Sequence, residues 1–299
     1  MIENYSPKEF HFSGHDTFHL RYSWLPKAAQ YIRNNPGASF NKYELIMIEL
    51  GIGKNMANSL RHWVESSRLF NKIISNSQTS HELSEIGKVV LTKDKYFENI
   101  DSVWLVHYLI ASNHKKNALW FYLFNIYNDS IIIKDEFLFS AISWFKNQGV
   151  KINERSIERD FQCCMNMYDC SKIGAKKIDD LALSSPFREL KLIKKIGNNY
   201  KLKQLSTPEI SPSLVSFCIL NYLEVSGFQK FTPFAGLLNG IKSPGRVLRL
   251  TENLLLEYLG EFQKYNKDYE FDSTAGMQQL IKNSENRLNK ITVLNKVYE

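Results

Sequence analysis

Residues 40–91 read FNKYELIMIELGIGKNMANSLRHWVESSRLFNKIISNSQTSHELSEIGKVVL, and the pattern of this segment indicates the fold class. Gly51-Ile52-Gly53 separates a first apolar segment from a second one, Lys54 to Ser67, whose apolar residues recur at helical spacing. We predict a helix capped by Asn41, a turn, a second helix, a β-prone hairpin and a closing helix that begins at Ser84. This order is typical of a winged helix-turn-helix.

The same arrangement recurs twice further along the chain. The second copy has a helix from Lys134 to Asn147, a second helix capped by Asn153 and a basic hairpin around Gly197. The third copy has a helix from Ser213 to Val225 and a new helical start at Ser243-Pro244-Gly245, where Ser can cap and Pro suits the first turn. The sequence therefore predicts a mainly α fold with multiple winged helix-turn-helix-like units and short β hairpins.

The three copies suggest three domains. Residues 1–100 would hold an N-terminal signature and the first unit, 101–206 a central helical segment and the second unit, and 207–299 the third unit and a C-terminal arm. Winged helices also serve as protein–protein modules, so the pattern alone leaves their partner open. The oligomeric state is open as well, with a homodimer through the C-terminal arm as one alternative.

Composition favours a cytoplasmic globular protein and leaves open whether it binds nucleic acid. The 299 residues carry a net charge of +7, and 43% of them are hydrophobic. The four cysteines form no C-x-x-C pair, which fits a reducing compartment better than a disulfide framework. The most apolar run, 103–127, is interrupted by Asn113-His114-Lys115-Lys116-Asn117, so we predict two short buried helices and no membrane span.

Polar and basic side chains on the outer faces of these units are the candidates for binding double-stranded DNA. They can neutralise phosphates or bond to base edges, although a solvated surface explains any one of them equally well. The candidates are Lys54, Asn55, Asn58, Arg61, His62, Arg155, Arg159, Lys194, Lys195, Arg246 and Arg249.

Several dispersed motifs resemble one bacterial family. The opening run from Phe12 to Leu25, FSGHDTFHLRYSWL, carries the most specific signature. The other motifs follow in the expected order: Gly51-Ile-Gly-Lys-Asn-Met, Leu60-Arg-His-Trp, Trp104-Leu-Val-His-Tyr-Leu-Ile-Ala-Ser-Asn, Ser243-Pro-Gly-Arg-Val and Asp272-Ser-Thr-Ala-Gly. The chain thus resembles the SspB-like family of DNA phosphorothioation systems, formerly a domain of unknown function.

The resemblance implies a DNA nickase that works in anti-phage defence. Its partners would be an ATPase, a reductase-like sulfur-transfer enzyme and a cysteine desulfurase. Opening one strand usually needs Mg²⁺ or Mn²⁺ held by carboxylates. Two alternatives remain: a non-catalytic DNA-recognition scaffold that recruits the sulfur-transfer enzymes, and a winged-helix transcriptional regulator.

The N-terminal signature contains the densest set of groups suited to strand cleavage. His15 and Asp16 are the candidate metal ligands and catalytic groups, and Arg21 is the candidate for pairing with a phosphate. The same residues can instead brace a tight turn at Gly14, with Arg21 neutralising Asp16. The sequence leaves both roles open.

Overall fold

The computed structural model of the chain describes residues 6, 9–173, 184–273, 278–283 and 289–299. The α-helices in these ranges are α1 (Trp24–Asn34), α2 (Tyr43–Leu50), α3 (Lys54–Ser66), α4 (Glu85–Lys93), α5 (Ile100–Ala111), α6 (Ala118–Asn125), α7 (Lys134–Asn147), α8 (Glu154–Tyr168), α9 (Pro212–Val225), α10 (Phe234–Asn239), α11 (Pro244–Val247), α12 (Glu252–Tyr265) and α13 (Lys290–Asn295). The strands are β1 (Phe70–Ser75), β2 (Gln78–Leu83), β3 (Ile131–Ile132), β4 (Ile193–Ile196), β5 (Asn199–Leu202), β6 (Phe231–Pro233), β7 (Tyr269–Asp272) and β8 (Gln279–Lys282). The predicted combination of helices with short antiparallel sheets is confirmed, and the winged-helix units stay a prediction.

The chain divides into two compact units. Unit 1 comprises Met1–Leu123 and Asn128–Lys203, and unit 2 comprises Phe124–Tyr127 and Gln204–Glu299. The three-domain division stays a prediction.

Unit 1 begins with α1, α2 and α3, followed by the antiparallel hairpin β1–β2. Trp63 of α3 is fully buried, and its indole N–H donates to the carbonyl of Phe18 (3.0 Å). Ser84 caps α4 by accepting the N–H of Gly87, as its position in the sequence predicts. Asn41 is not a cap: the residue before α2 is Lys42, and its side chain makes no cap bond.

The second half of unit 1 contains a three-stranded antiparallel sheet in the order β3-β5-β4. Helices α7 and α8 lie between β3 and β4 in the chain. Asn153 caps α8 by accepting the N–H of Arg155, an interaction that contributes about 1 kcal/mol. Phe161 of α8 packs edge-on against Tyr200 of β5, so the helix and the hairpin share one core.

Unit 2 repeats this strand arrangement. Its sheet has the order β6-β8-β7, and α10, α11 and α12 lie between β6 and β7 in the chain. Ser243 accepts the N–H of Arg246 at the start of α11, and Pro244 occupies the first turn, as the sequence predicts. Of the family motif Asp272-Ser-Thr-Ala-Gly, residues 274–276 lie outside the described residues.

The apolar run of residues 103–127 forms two helices, as predicted. Helices α5 and α6 are separated by the polar segment 112–117, and nearly all their side chains are buried. Within the described ranges, no helix has both the length and the apolar character that crossing a bilayer requires.

Candidate nucleic-acid interface

His15 lies at the centre of the N-terminal signature and is almost completely enclosed, with 1% of its surface exposed. Its Nδ1 accepts the N–H of Thr17 (3.1 Å), so the ring proton is on Nε2, which donates to Oδ1 of Asp160 (2.9 Å). Asp160 belongs to α8 and is 2% exposed. The same oxygen accepts the main-chain N–H of Ser13 (2.9 Å). The loop of residues 11–18, which we call the signature loop, is therefore fastened to helix α8.

Aromatic rings fasten the same loop to helix α3. The His15 imidazole stacks on Trp63, with an angle of 18° between the rings and 6.1 Å between their centres. The rings of His62 and Trp120 meet its edges. Because both ring nitrogens are occupied and the ring is packed on several sides, this geometry corresponds to the bracing role. The catalytic role of His15 stays a prediction.

The backbone of this loop is strained. Ser13, Asp16 and Thr17 have φ angles of 58°, 43° and 68°, in the left-handed region that residues with a side chain rarely adopt. Gly14 has no such angle, but a Cβ there would lie 2.5 Å from Nδ1 of His62. The loop thus lies directly against α3, and glycine is needed for that approach.

Asp16 and Arg21 do not form the predicted ion pair. The Arg21 guanidinium lies over the rings of Phe18 and Trp24, 5.6 and 5.2 Å from their centres, and burial lowers its pKa. Asp16 is half-buried, and its carboxylate makes no hydrogen bond or ion pair to another residue of the described ranges. Bracing by this pair is therefore wrong, whereas bracing by His15 matches the geometry.

Helix α3 presents most of its predicted DNA-binding residues to solvent. Lys54 and Asn55 are exposed, and Asn58 and Arg61 are half-buried. The Lys54 ammonium lies 4.9 Å from the centre of the Tyr43 ring, which holds it near the start of the helix. These side chains are free to meet a phosphate or a base edge.

His62 is placed differently. It is 8% exposed, and its Nε2 lies 3.1 Å from Oδ1 of Asn117. Burial above all, together with the charge of Lys116, lowers the pKa of His62 to about 3. The imidazole is therefore uncharged at neutral pH, and it contributes to packing inside unit 1 rather than to an exposed cationic face.

Helix α8 forms one wall of an open groove of about 660 Å³, lined by Asn153, Arg155, Glu158, Arg159 and Gln162. Both arginines are exposed. The carboxylate of Glu158 is paired with Lys134 of α7 (2.6 Å), which holds the pKa of Glu158 below its ordinary value. Because Lys134 compensates this acid, the groove has an excess of positive charge.

The hairpin β4–β5 adds further cations beside α8. Lys194, Lys195 and Lys201 are exposed. The main-chain N–H of Lys195 donates to Oδ1 of Asp169, the residue that follows α8 (3.1 Å). The hairpin is therefore fixed to the end of the helix, with its lysine side chains directed to solvent.

Arg246 and Arg249 belong to unit 2 and are half-buried. The guanidinium of Arg246 donates to the carbonyls of Asn125 (2.9 Å), Ile126 (3.0 Å) and Tyr127 (3.3 Å). Burial and the neighbouring Arg246 charge lower the pKa of Arg249 to about 10. Because Arg246 donates to main-chain carbonyls of its own unit, its side chain stabilises the fold of unit 2.

A second cavity, of about 360 Å³, lies between the signature loop and α3. Arg61, Glu65, Lys72 and Lys116 are among its lining residues. Glu65 contacts Lys72 (3.4 Å) and Lys116 (2.5 Å). Sequence reasoning missed this cluster because helical spacing places only Arg61 and Glu65 on one face of α3. Lys72 and Lys116 come from a strand and a loop further along the chain, which that spacing cannot connect to the helix.

The residues predicted to hold a metal fit one only in part. His15 has no free lone pair, because one nitrogen accepts a hydrogen bond and the other donates one. Asp16 offers a carboxylate, the ligand type that Mg²⁺ prefers alongside waters and substrate phosphates. The described ranges contain no group of three or more His, Cys, Asp or Glu side chains arranged to hold an ion.

The whole described fold corresponds to one protein family. Residues 12–298 match the family described as Protein of unknown function (DUF4007), and the chain belongs to this family. A comparison with curated proteins gives no match.

Two solved structures share the fold. One, a crystal structure of SspB, has a TM-score of 0.84 and 22% identity, and the match covers 98% of this chain and 90% of that one. The other, a magnesium ion-bound SspB, has a TM-score of 0.83 and 23% identity with the same coverage. The resemblance to the SspB-like family that the motifs predicted is thereby confirmed.

Proposed function

We propose that this chain is a duplex-DNA-binding component of a DNA phosphorothioation system, and that it nicks one DNA strand. The observation that carries DNA binding is the cationic surface of unit 1, where Arg155 and Arg159 of α8 adjoin the lysines of hairpin β4–β5. The phosphorothioation system, and the ATPase, reductase-like enzyme and cysteine desulfurase that would accompany the chain there, follow from the family resemblance.

The topology around α8 supports this use. Strand β3 precedes a helix pair and pairs with the second strand of the hairpin that follows it, giving the order β3-β5-β4. We interpret this as a winged helix in which α8 is the recognition helix and β4–β5 the wing. The order β6-β8-β7 supports the same interpretation in unit 2, and hairpin β1–β2 after α2 and α3 supports it at the start of unit 1.

Units 1 and 2 differ in the charge of their exposed helix faces, and we assign them different roles. The equivalent long helix of unit 2, α12, exposes Glu252 and Glu257, which would repel a phosphate backbone. Helices α3 and α8 expose Lys54, Arg155 and Arg159. The two exposed acids of α8, Glu154 and Glu158, are paired with Lys146 (3.8 Å) and Lys134 (2.6 Å). We therefore place the DNA on unit 1 and assign unit 2 to other partners.

Within the strand-opening step, Asp16 is the residue we assign to a divalent ion. A bound Mg²⁺ or Mn²⁺ would supply charge stabilisation for the phosphate under attack and acidify a water. The strained backbone at Asp16 supports this assignment, since such strain concentrates at functional sites. A magnesium-bound form of the structurally similar SspB also supports it.

A scaffold without catalytic activity is the second candidate, because His15 is fully engaged by Thr17 and Asp160. In that case unit 1 would deliver DNA to the sulfur-transfer enzymes. The winged-helix regulator differs from both, since it requires strong preference for one palindromic sequence.

DNA binding is tested by the double variant Arg155→Gln/Arg159→Gln, measured by fluorescence anisotropy on a labelled duplex at several salt concentrations. Loss of two phosphate contacts lowers the slope of log K against log salt by about 1.8. The matched control is Lys264→Gln/Lys267→Gln in unit 2, which removes the same charge from exposed positions. Equal affinity and slope in both variants would refute the assignment.

Nicking is tested by conversion of supercoiled plasmid to open circle with Mg²⁺ or Mn²⁺. We expect Asp16→Asn to abolish nicking while duplex affinity and the unfolding midpoint stay unchanged. Tight binding without nicking in the wild type at every metal concentration establishes the scaffold instead. Preference for one palindrome by more than about 10³-fold over other duplexes establishes the regulator.

A further inference from the structure

We infer that the cavity between the signature loop and α3 is a subsite for a single phosphate group, which a DNA backbone phosphate occupies in the complex. This inference rests on the proposed DNA binding and adds to it a second contact area, distinct from the α8 groove. The residues that carry it are Arg61, Lys72 and Lys116, together with the carboxylate of Glu65.

The size of the cavity suits such a ligand. Its volume of about 360 Å³ is many times the roughly 15 Å³ that a cavity needs to hold one water molecule, which is enough for a phosphate group. The walls come from the signature loop, Asn41 before α2, α3, β1 and the segment before α6, so ligand binding here would contact five separate parts of unit 1.

The charge of the lining selects an anion. Three cations and one carboxylate line the cavity, namely Arg61, Lys72, Lys116 and Glu65. Burial alone would raise the pKa of Glu65, but the contact with His81 (3.4 Å), the hydrogen bond from Lys116 and the nearby lysine charges outweigh burial and lower it well below its ordinary value. Glu65 therefore stays ionised and neutralises one charge. The remaining excess of two positive charges disfavours a metal ion in the same space.

The hydrogen-bond donors of the Arg61 side chain have no partner in the described ranges. In the described ranges its guanidinium makes no hydrogen bond or ion pair, whereas Glu65 holds both Lys72 and Lys116. A guanidinium presents parallel N–H donors that match two oxygens of a phosphate. Glu65 thus positions two ammonium groups, and Arg61 completes the recognition of the ligand.

Arg61→Gln tests the subsite in two measurements on the full chain, with Lys267→Gln as the charge-matched control. In duplex binding, we expect Arg61→Gln to weaken affinity about tenfold and to lower the salt slope by about 1. In thermal unfolding without DNA, we expect inorganic phosphate to raise the Tm of the wild type and of the control more than NaCl of equal ionic strength does. Arg61→Gln should lose this difference.

The outcomes separate this inference from the proposed function. If Arg61→Gln binds DNA and responds to phosphate as the wild type does, while Arg155→Gln/Arg159→Gln loses affinity, the subsite is refuted and DNA binding stands. If phosphate stabilises the chain through Arg61 but no duplex binds, DNA binding fails and the cavity takes a free phosphate or nucleotide. If Lys72→Gln, which leaves Arg61 in place, also weakens DNA binding, the cluster acts together as inferred.

Discussion

Lowering the pH should destabilise the protein because His62 is buried in its uncharged form. Its pKa lies near 3, against an ordinary value of 6.5, because burial and the charge of Lys116 outweigh the hydrogen bond to Asn117 and the charge of Glu65. The unfolded chain therefore takes up this proton first as the pH falls. The stabilisation is complete above about pH 6.5 and is lost towards pH 3. At about 1.4 kcal/mol per pKa unit, the whole effect is roughly 5 kcal/mol, of which about 2 kcal/mol is lost between pH 7 and pH 5.

The assay is urea unfolding at pH 7 and pH 5, followed by tryptophan fluorescence, for the wild type and His62→Gln. Glutamine keeps a donor for Asn117 but does not titrate. We expect the wild type to lose about 2 kcal/mol more than His62→Gln between the two pH values, since other titrating groups contribute equally to both. The control, His11→Gln, replaces an exposed histidine of the same loop and should keep the wild-type dependence. If His62→Gln showed the same loss of stability between pH 7 and pH 5 as the wild type, His62 would not be the buried, uncharged group that causes this loss.

The remaining predictions concern the loop and unit 2. His15→Ala and Asp160→Ala should each destabilise the protein by about 3–5 kcal/mol. The double variant should be destabilised by about 2 kcal/mol less than the sum of the two single variants. If the free energies of unfolding, measured in urea, were strictly additive, the two side chains would not interact. Gly14→Ala should cost about 1–3 kcal/mol, because the new Cβ would lie 2.5 Å from His62, and an unchanged midpoint would contradict that contact. Arg246→Gln should lower stability by about 2 kcal/mol with no change in duplex affinity, and weaker DNA binding at full stability would show that the guanidinium serves DNA instead.

Local signals explain what the sequence predicted well. Helix α7 has the predicted bounds, Lys134–Asn147, and Asn153 and Ser243 cap the helices that their positions indicated. Caps and helical periodicity depend on neighbours within about four residues, so they can be recognised in one sequence. Strands β3 and β6 were not predicted, since two or three residues are too few to show an alternating pattern.

The candidate site depended on distant contacts, and there the sequence was less informative. Nothing near His15 indicates that its partner is Asp160, which lies 145 residues further along the chain. Helical spacing did place His62 near an exposed face, but the loop of Gly14 covers that position in the fold. Spacing predicts which side of a helix a residue is on, whereas burial depends on what other segments later pack against that side.

The link between α3 and α8 changes how variants of the signature must be interpreted. Ser13, Asp16 and Thr17 occupy backbone conformations that cost about 1–3 kcal/mol each, and the bonds to Asp160 and the stacking on Trp63 offset this cost. Because the loop joins the two helices that we place on DNA, His15→Ala would displace both DNA-binding faces without His15 touching DNA. Loss of nicking in that variant therefore cannot by itself identify a catalytic group. A catalytic His15 would lower the nicking rate at saturating DNA and leave duplex affinity intact, whereas a bracing His15 would weaken affinity and stability together.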